Sequence, residues 1–357
     1  IPFPPSLKGR ESEVAAAMMA KTTTMDSSNT REPQDGTFSF PVAGRSVDAR
    51  VGMLPQIAGP NITVRILDPL TLRRRLEEMG FDIDLVTSLR RAVASSAGCV
   101  LVVGPTGSGK TTTLYALLRE VDAVSRNVLT VEDPVEYRLP YVGQTQIRSD
   151  IGDRSLTFAR ALRSILRQDP DVVLVGEIRD TDTAKVAMEA AITGHLVLST
   201  VHASSAPSAY TRLTEMGVPA YLVAEALSIV VSQRLVRQVH ECCTVGPPTP
   251  DEQAILSRLG IEGVTQVAHP VGCIGCAGNG FRGRIAVAEI LAASPEIKGA
   301  IQSGLSREKI LEIAKKTGWR PMLSDAVRHL KAGRTTVSEI NRAASVDDDS
   351  TEEDNKG

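Results

Sequence analysis

Residues 104–111 read GPTGSGKT and fit the pattern G-x-x-x-x-G-K-[ST]. The glycines Gly104, Gly107 and Gly109 let the backbone curl its N–H groups inward around phosphate oxygens, with Pro105, Thr106 and Ser108 completing the loop. Lys110 is spaced to reach β- and γ-phosphates, the Thr111 hydroxyl to bind Mg²⁺, and Thr112 follows at the start of the helix. The apolar run CVLVVG precedes the loop and a helix is expected from Lys110, so the positive end of that helix also faces the anion.

Two further stretches carry carboxylates. DVVLVGEIRD, 171–180, is an apolar strand ending in an acid, the place from which a second strand serves Mg²⁺ or an attacking water. The strand ends in Gly176–Glu177, and Glu177 is the residue expected to orient and activate water; otherwise it is a surface glutamate at a strand end. TVEDPVEY, 130–137, crowds Glu132, Asp133 and Glu136, whose mutual repulsion makes sense beside a metal-bound nucleotide and which alone would equally describe a solvated acidic loop. His195 and His202 bracket the strand in TGHLVLSTVHA, either as structural histidines or as sensors of a terminal phosphate.

Five cysteines are present, and Cys242, Cys243, Cys273 and Cys276 gather in the last third near His240. In an intracellular chain of this size such a cluster reads as metal rather than disulfide. The string HECC is awkward, since two adjacent cysteines cannot easily share one metal.

The elements that must position these groups follow from the pattern. From 99 to about 202, short apolar strands alternate with helical stretches, which specifies a parallel sheet covered on both faces, an α/β fold. Before it, 36–67 alternates apolar and polar residues between glycines and prolines, a small strand-rich module, and DPLTLRRRLEEMGF opens like a helix at Asp68. Residues 206–239 and 295–345 read as helical, 1–30 as irregular, and the acidic tail 346–357 as disordered. The expected boundaries are 31–68 for the small domain, 69–235 for the core, 236–290 for a cysteine-bearing insert and 291–345 for a helical subdomain. With 357 residues, 42% hydrophobic and 23% charged, the chain has material for more than one core. No apolar run is long enough to span a bilayer, and IPFPPSLKGR lacks a signal-peptide core.

In order along the chain, GPTGSGKTTT, TVEDPVEY, LRQDPDVVLVGEIRD and GHLVLSTVHA resemble the ATPases of type II secretion and type IV pilus assembly. REPQDGTFSF, RLTEMGVP, SQRLVRQ, GNGFRGRIAVAEIL and MLSDAVRHLKAGRTTVSEI extend the likeness over about 31–342. The resemblance implies a RecA-like ATPase domain preceded by a small α/β, PAS-like domain, assembled as a homo-hexamer. It places the chain in the cytoplasm, peripheral to the inner membrane, driving pilin or pseudopilin polymerisation through inner-membrane platform and recruitment proteins. It makes ATP and Mg²⁺ the ligands, assigns Glu132, Asp133 and Glu136 to an acidic box and His195 and His202 to a histidine box, and makes Arg50 and Arg65 arginines that reach the nucleotide. It also implies a further N-terminal docking domain, which these residues do not include. Laid on the family's two Cys-x-x-Cys pairs, the metal set becomes His240, Cys243, Cys273 and Cys276, with Cys242 a bystander and Zn²⁺ the ion, in a knuckle expected to lack a core of its own.

Two other readings use the same core. A nucleic-acid translocase or helicase fits poorly with an isoelectric point near 6.3, 3% aromatic residues and a net charge of −2. A nucleotide-binding regulator without turnover conflicts with the presence of Lys110, Thr111 and Glu177. A retraction motor is a close relative, but within the family the cysteine insert marks the assembly branch.

Overall fold

The computed structural model describes residues 10–22, 24–42, 44–57, 59–67, 74–147 and 156–344. Two compact units are present, the first ending at Leu72 and the second beginning at Arg73.

The first unit is a three-stranded antiparallel sheet, β1 (Gln34–Val42), β2 (Arg45–Leu54) and β3 (Asn61–Leu67), preceded by helix α1 (Glu11–Ala20). Alternation does the work: Val47, Ala49, Val51 and Met53 are buried on one face of β2, while Asp48 between them is exposed. Met19 joins Met25, Val51 and Met53 in a small core against which Phe38 and Ile62 pack. The helix corrects the expectation of an irregular 1–30. EVAAAMMA is built of strong helix formers, and Ala15 and Met19, four residues apart, share the buried side.

The second unit holds a seven-stranded sheet. Its strands are β4 (Gly98–Val103), β5 (Val128–Glu132), β6 (Val142–Gln146), β7 (Val172–Val175), β8 (Leu196–Val201), β9 (Leu227–Val239) and a last strand, β12 (Phe281–Ala292). Their order is β12-β9-β4-β8-β7-β5-β6, all parallel except β12, which runs antiparallel to β9. One face packs on α2 (Ile83–Val93) and α3 (Lys110–Glu120) through Val100, Val102, Leu174 and Leu198. The other packs on α4 (Phe158–Ile165), α5 (Thr181–Ile192), α6 (Ala206–Glu215) and α7 (Ala220–Ala226) through Leu101, Val103, Val173, Val175 and Val197. Burial on both faces is why these strands read as unbroken apolar runs.

Three boundaries differ from expectation. Residues 227–239 are strand, not helix: LSIVVSQRLVRQV is rich in β-branched residues, and its apolar run comes from two-sided burial. The excursion between β9 and β12 therefore covers only 240–280, and the sheet continues to Ala292. It carries β10 (Thr244–Gly246), α8 (Pro250–Arg258) and β11 (Val267–His269), and it does have a core: Leu256, Ile261 and Val267 join Met322, Leu330 and Ile340 of the C-terminal helices. Those helices, α9 (Pro295–Gln302), α10 (Arg307–Lys316), α11 (Met322–Lys331) and a helical run over 337–344, match the expected helical subdomain. The helix expected from Asp68 begins outside the described residues, which hold a single 3₁₀ turn at Leu76–Met79; the acidic tail also lies outside them. Among the described residues no helix is long and apolar enough to cross a membrane.

Candidate nucleotide and metal sites

β4 runs into the glycine loop at the carboxyl edge of the sheet, where ligands of such sheets bind. Gly104 sits at φ +143°, and a Cβ there would lie 2.4 Å from the Gln233 carbonyl oxygen, so only glycine fits. Gly107 (φ +79°) faces open space, with nothing within 4 Å of where a Cβ would stand. Gly109, at φ +91°, is the N-cap of α3, which leaves the first N–H groups of that helix without a side-chain cap. The buried Ser108 hydroxyl has no hydrogen-bond partner among the described residues. Lys110 Nζ folds onto the loop, donating to the carbonyls of Gly104 (2.8 Å) and Pro105 (3.0 Å). Burial holds its pKa below the usual lysine value; the Glu177 charge opposes this and the Arg234 charge adds to it. A glycine cradle open to space, a buried hydroxyl awaiting a partner and a cation on the loop together fit the phosphates of a nucleotide. Thr111 and Thr112 follow in the first turn of α3, Thr111 exposed.

Glu177 stands just past β7. Its position is set by β8: Ser199 Oγ donates to the Val175 carbonyl (2.8 Å), Thr200 Oγ1 to that of Gly176 (2.9 Å), and the Ile178 N–H to that of Thr200 (2.9 Å). Glu177 is largely buried and pairs with the exposed Arg179 at 2.6 Å. Val103 pairs with Val201, so His202 emerges at the same edge as the glycine loop. Burial, then the Lys110 charge, lowers the His202 pKa, with Glu177 pulling the other way. Lys110, Glu177 and His202 thus share one electrostatic neighbourhood.

The remaining sequence-derived residues divide. His195 precedes Leu196, which pairs with Gly98, so it lies at the opposite edge, about 20 Å from His202 at the rise of six strand residues; its Nδ1 sits 3.0 Å from the Ala190 carbonyl, a local contact. Glu132 is 3% exposed and fully occupied by protein donors: Tyr115 Oη, Thr130 Oγ1 (2.5 Å) and Gln144 Nε2 (3.1 Å). It anchors the end of β5 and is not presented to a ligand, which corrects its catalytic assignment. Asp133 is exposed and Glu136 half-buried in the loop that follows; Tyr115 Oη accepts the Glu136 N–H at 3.2 Å. Arg50 and Arg65 face each other across β2 and β3 in the first unit.

The structure changes the metal set. His240, Cys242, Cys273 and Cys276 bring one donor atom each to within 4.8 Å of one another. Cys242 Sγ is 3.8 Å from Cys276 Sγ, Cys273 Sγ is 3.7 Å from Cys276 Sγ, and Cys273 Sγ is 3.6 Å from His240 Nδ1. Cys243 is not a member: its N–H closes a turn onto the His240 carbonyl (2.9 Å) and its thiol donates to Gly280 O at 3.0 Å. That turn sends Cys242 inward and Cys243 away. The N–H groups of Cys273 and Gly280 each lie 3.2 Å from Cys276 Sγ, and with the contact at Cys273 foremost its pKa is pushed down to about 6. Three thiols and an imidazole, one thiol already biased towards thiolate, fit a tetrahedral Zn²⁺.

Sequence reasoning missed Gln233 and Arg234. Gln233 Nε2 donates to Ser108 O (2.8 Å), and Arg234 Nη2 donates to Ser204 O (3.2 Å) in the loop after His202. Their signal was polarity inside the apolar run SIVVSQRLV: both are buried, at 0% and 4% exposure.

A mostly parallel sheet whose inner strand feeds a glycine loop and a helix N-terminus defines an α/β domain of the P-loop type. Residues 7–342 match the family described as "Type II/IV secretion system protein", and the chain belongs to that family. It is 40% identical over 337 residues to the "Putative type II secretion system protein E" of Escherichia coli (strain K12), covering 94% of this chain and 68% of that protein. It is 41% identical over 314 residues to the "Type IV pilus assembly ATPase PilB" of Thermus thermophilus, covering 87% of this chain and 35% of that one. The chain spans 64% of several other type II secretion relatives. In fold it is similar to the pilus retraction motor PilT with bound ADP, at TM-score 0.61 and 24% identity, covering 87% of this chain and 77% of that one.

Proposed function

We propose that this chain is an ATPase that hydrolyses ATP to power pilin or pseudopilin assembly, in type II secretion or type IV pilus biogenesis. What carries the reading is the meeting, at one sheet edge, of the glycine loop, Lys110, Glu177 and His202. Loop N–H groups and Lys110 bind the phosphates. Glu177, fixed by the Ser199 and Thr200 hydroxyls, orients water and takes its proton. His202, with its pKa depressed, is neutral at pH 7 and can hydrogen-bond a terminal phosphate or the water. Mg²⁺, held at the Thr111 hydroxyl with Asp133 and Glu136 nearby in the chain, supplies charge neutralisation at the β/γ-phosphates. Zn²⁺ in the His240–Cys242–Cys273–Cys276 set supplies a structural cross-link. The names borne by the E. coli and Thermus relatives support assembly, and a homo-hexamer on the cytoplasmic face of the inner membrane, with Arg50 and Arg65 reaching the nucleotide and platform and recruitment proteins as partners, belongs to the same proposal.

The test is ATP turnover. Glu177→Gln should lower kcat by roughly 10²-fold with ADP binding kept, the scale of a lost acid–base group. Lys110→Ala should weaken binding and abolish turnover. Wild-type turnover in Glu177→Gln would move the role to Glu136.

A further inference from the structure

One side chain outside the recognised motifs grips the phosphate loop at two points. Gln233, fully buried in β9, donates from Nε2 to Ser108 O at 2.8 Å, and its Oε1 accepts from Thr113 Oγ1 at 2.8 Å. Its own carbonyl oxygen lies against Gly104. We propose that Gln233 is a positioning residue that turns the Gly109 N–H toward the phosphates of a nucleoside di- or triphosphate, an inference that rests on the nucleotide-binding reading above.

The argument is the geometry of one peptide plane. In a trans peptide the C=O and the following N–H point in opposite directions. Holding the Ser108 carbonyl toward β9 therefore holds the Gly109 N–H away from β9. Gly109, at φ +91°, resists rotation of that plane little by itself, because glycine populates both signs of φ about equally. Something else must fix it, and the Gln233 amide is in contact. The same amide reaches the next turn: the Thr113 N–H donates to Gly109 O at 3.1 Å, and the Thr113 hydroxyl bonds Gln233. Loop and helix start are thus referenced to one atom group. The chemistry needs a donor and an acceptor at the tip of one side chain, which an amide provides, a leucine lacks, and a carboxylate provides only in part. Buried at 0% exposure, this contact faces no competition from water.

The test titrates the full chain with fluorescent ADP, with pyrophosphate and adenosine as competitors. Gln233→Leu should raise the Kd for ADP and for pyrophosphate roughly tenfold, the scale of one positioned hydrogen bond, and leave adenosine competition unchanged. Thr113→Val should cost about threefold, and the double variant should be no worse than Gln233→Leu, since both changes remove one contact. Equal weakening of adenosine and pyrophosphate would mark general loosening and overturn the assignment. So would wild-type ADP affinity in Gln233→Leu while wild type binds ADP. Failure of wild type itself to bind ADP would overturn the nucleotide reading and this with it. If Gln233→Leu does not fold, Thr113→Val decides, and unchanged ADP affinity there sinks the proposal.

Discussion

Replacing Cys242 with serine should remove the metal, and replacing its neighbour Cys243 should not. The magnitude can be worked from the donor spacing. With Zn–S near 2.3 Å, a tetrahedral S···S edge is about 3.8 Å, and with Zn–N near 2.05 Å a mixed S···N edge is about 3.6 Å. The protein holds Cys242 and Cys276 at 3.8 Å, Cys273 and Cys276 at 3.7 Å, and Cys273 and His240 Nδ1 at 3.6 Å. Three edges thus stand near their zinc lengths, so binding has little to reorganise. Structural zinc is worth roughly 10–16 kcal/mol in small zinc domains, about 3 kcal/mol for each of four ligands, or on the order of 10²-fold in affinity per ligand lost. Metal content after dialysis against a chelator, measured by mass spectrometry, should be near one zinc per chain for wild type and Cys243→Ser. It should fall well below that for Cys242→Ser and His240→Ala. Zinc kept by Cys242→Ser and lost by Cys243→Ser would refute the geometry and restore the Cys-x-x-Cys spacing of the family. Because Leu256, Ile261 and Val267 pack onto the C-terminal helices, metal loss should loosen 240–280 without unfolding the sheet.

Two stability predictions follow. His329 is fully buried in α11 among Arg328, Asp325 and Arg334, and burial foremost, then Arg328, depresses its pKa; the unfolded chain therefore binds more protons than the native one, and stability should fall as pH drops below about 6.5, by up to about 1.4 kcal/mol per pH unit, with a shallower slope in His329→Asn. An identical slope between pH 7.5 and 5.5, read by fluorescence of the single tryptophan, Trp319, in urea, would count against it. Glu289, 5% exposed, accepts the Ala206 N–H (2.7 Å) and the Met322 N–H (3.1 Å), capping two helices at once, so Glu289→Ala should cost about 3–5 kcal/mol from two charge-assisted bonds; a loss under about 1 kcal/mol would show that water replaces it.

What could be read from the sequence were the features whose cause is local. Glycine spacing at 104, 107 and 109 dictates a loop that only glycine can follow, and the φ values of +143°, +79° and +91° bear this out. The strand before it and the helix after it follow from hydrophobic runs, and two-sided burial explains them. The same logic failed at 227–239, because a run buried on both faces has no period to distinguish strand from helix. It failed again at α1, where small and flexible residues hid a helix with only one side against the sheet.

The site residues that sequence misplaced share a different cause. Whether a carboxylate serves a ligand depends on which donors already occupy it, and those come from remote positions. Glu132 and Glu136 lie four residues apart in one acidic string, yet Glu132 is consumed by Tyr115, Thr130 and Gln144 while Glu136 follows in the half-buried loop beyond the strand. His195 and His202 bracket one strand, and a strand of that length must put its two ends at opposite edges of the sheet, so at most one of them can face the glycine loop. That constraint was available from spacing alone: seven residues of strand cannot bring both histidines to one phosphate within one subunit. Gln233 is the converse case. Its distance of more than a hundred residues from Ser108 and Thr113 conceals a contact that the parallel pairing of β4 with β9 makes unavoidable, because Val103 and Ser232 are partners and the next residue on each strand meets the loop.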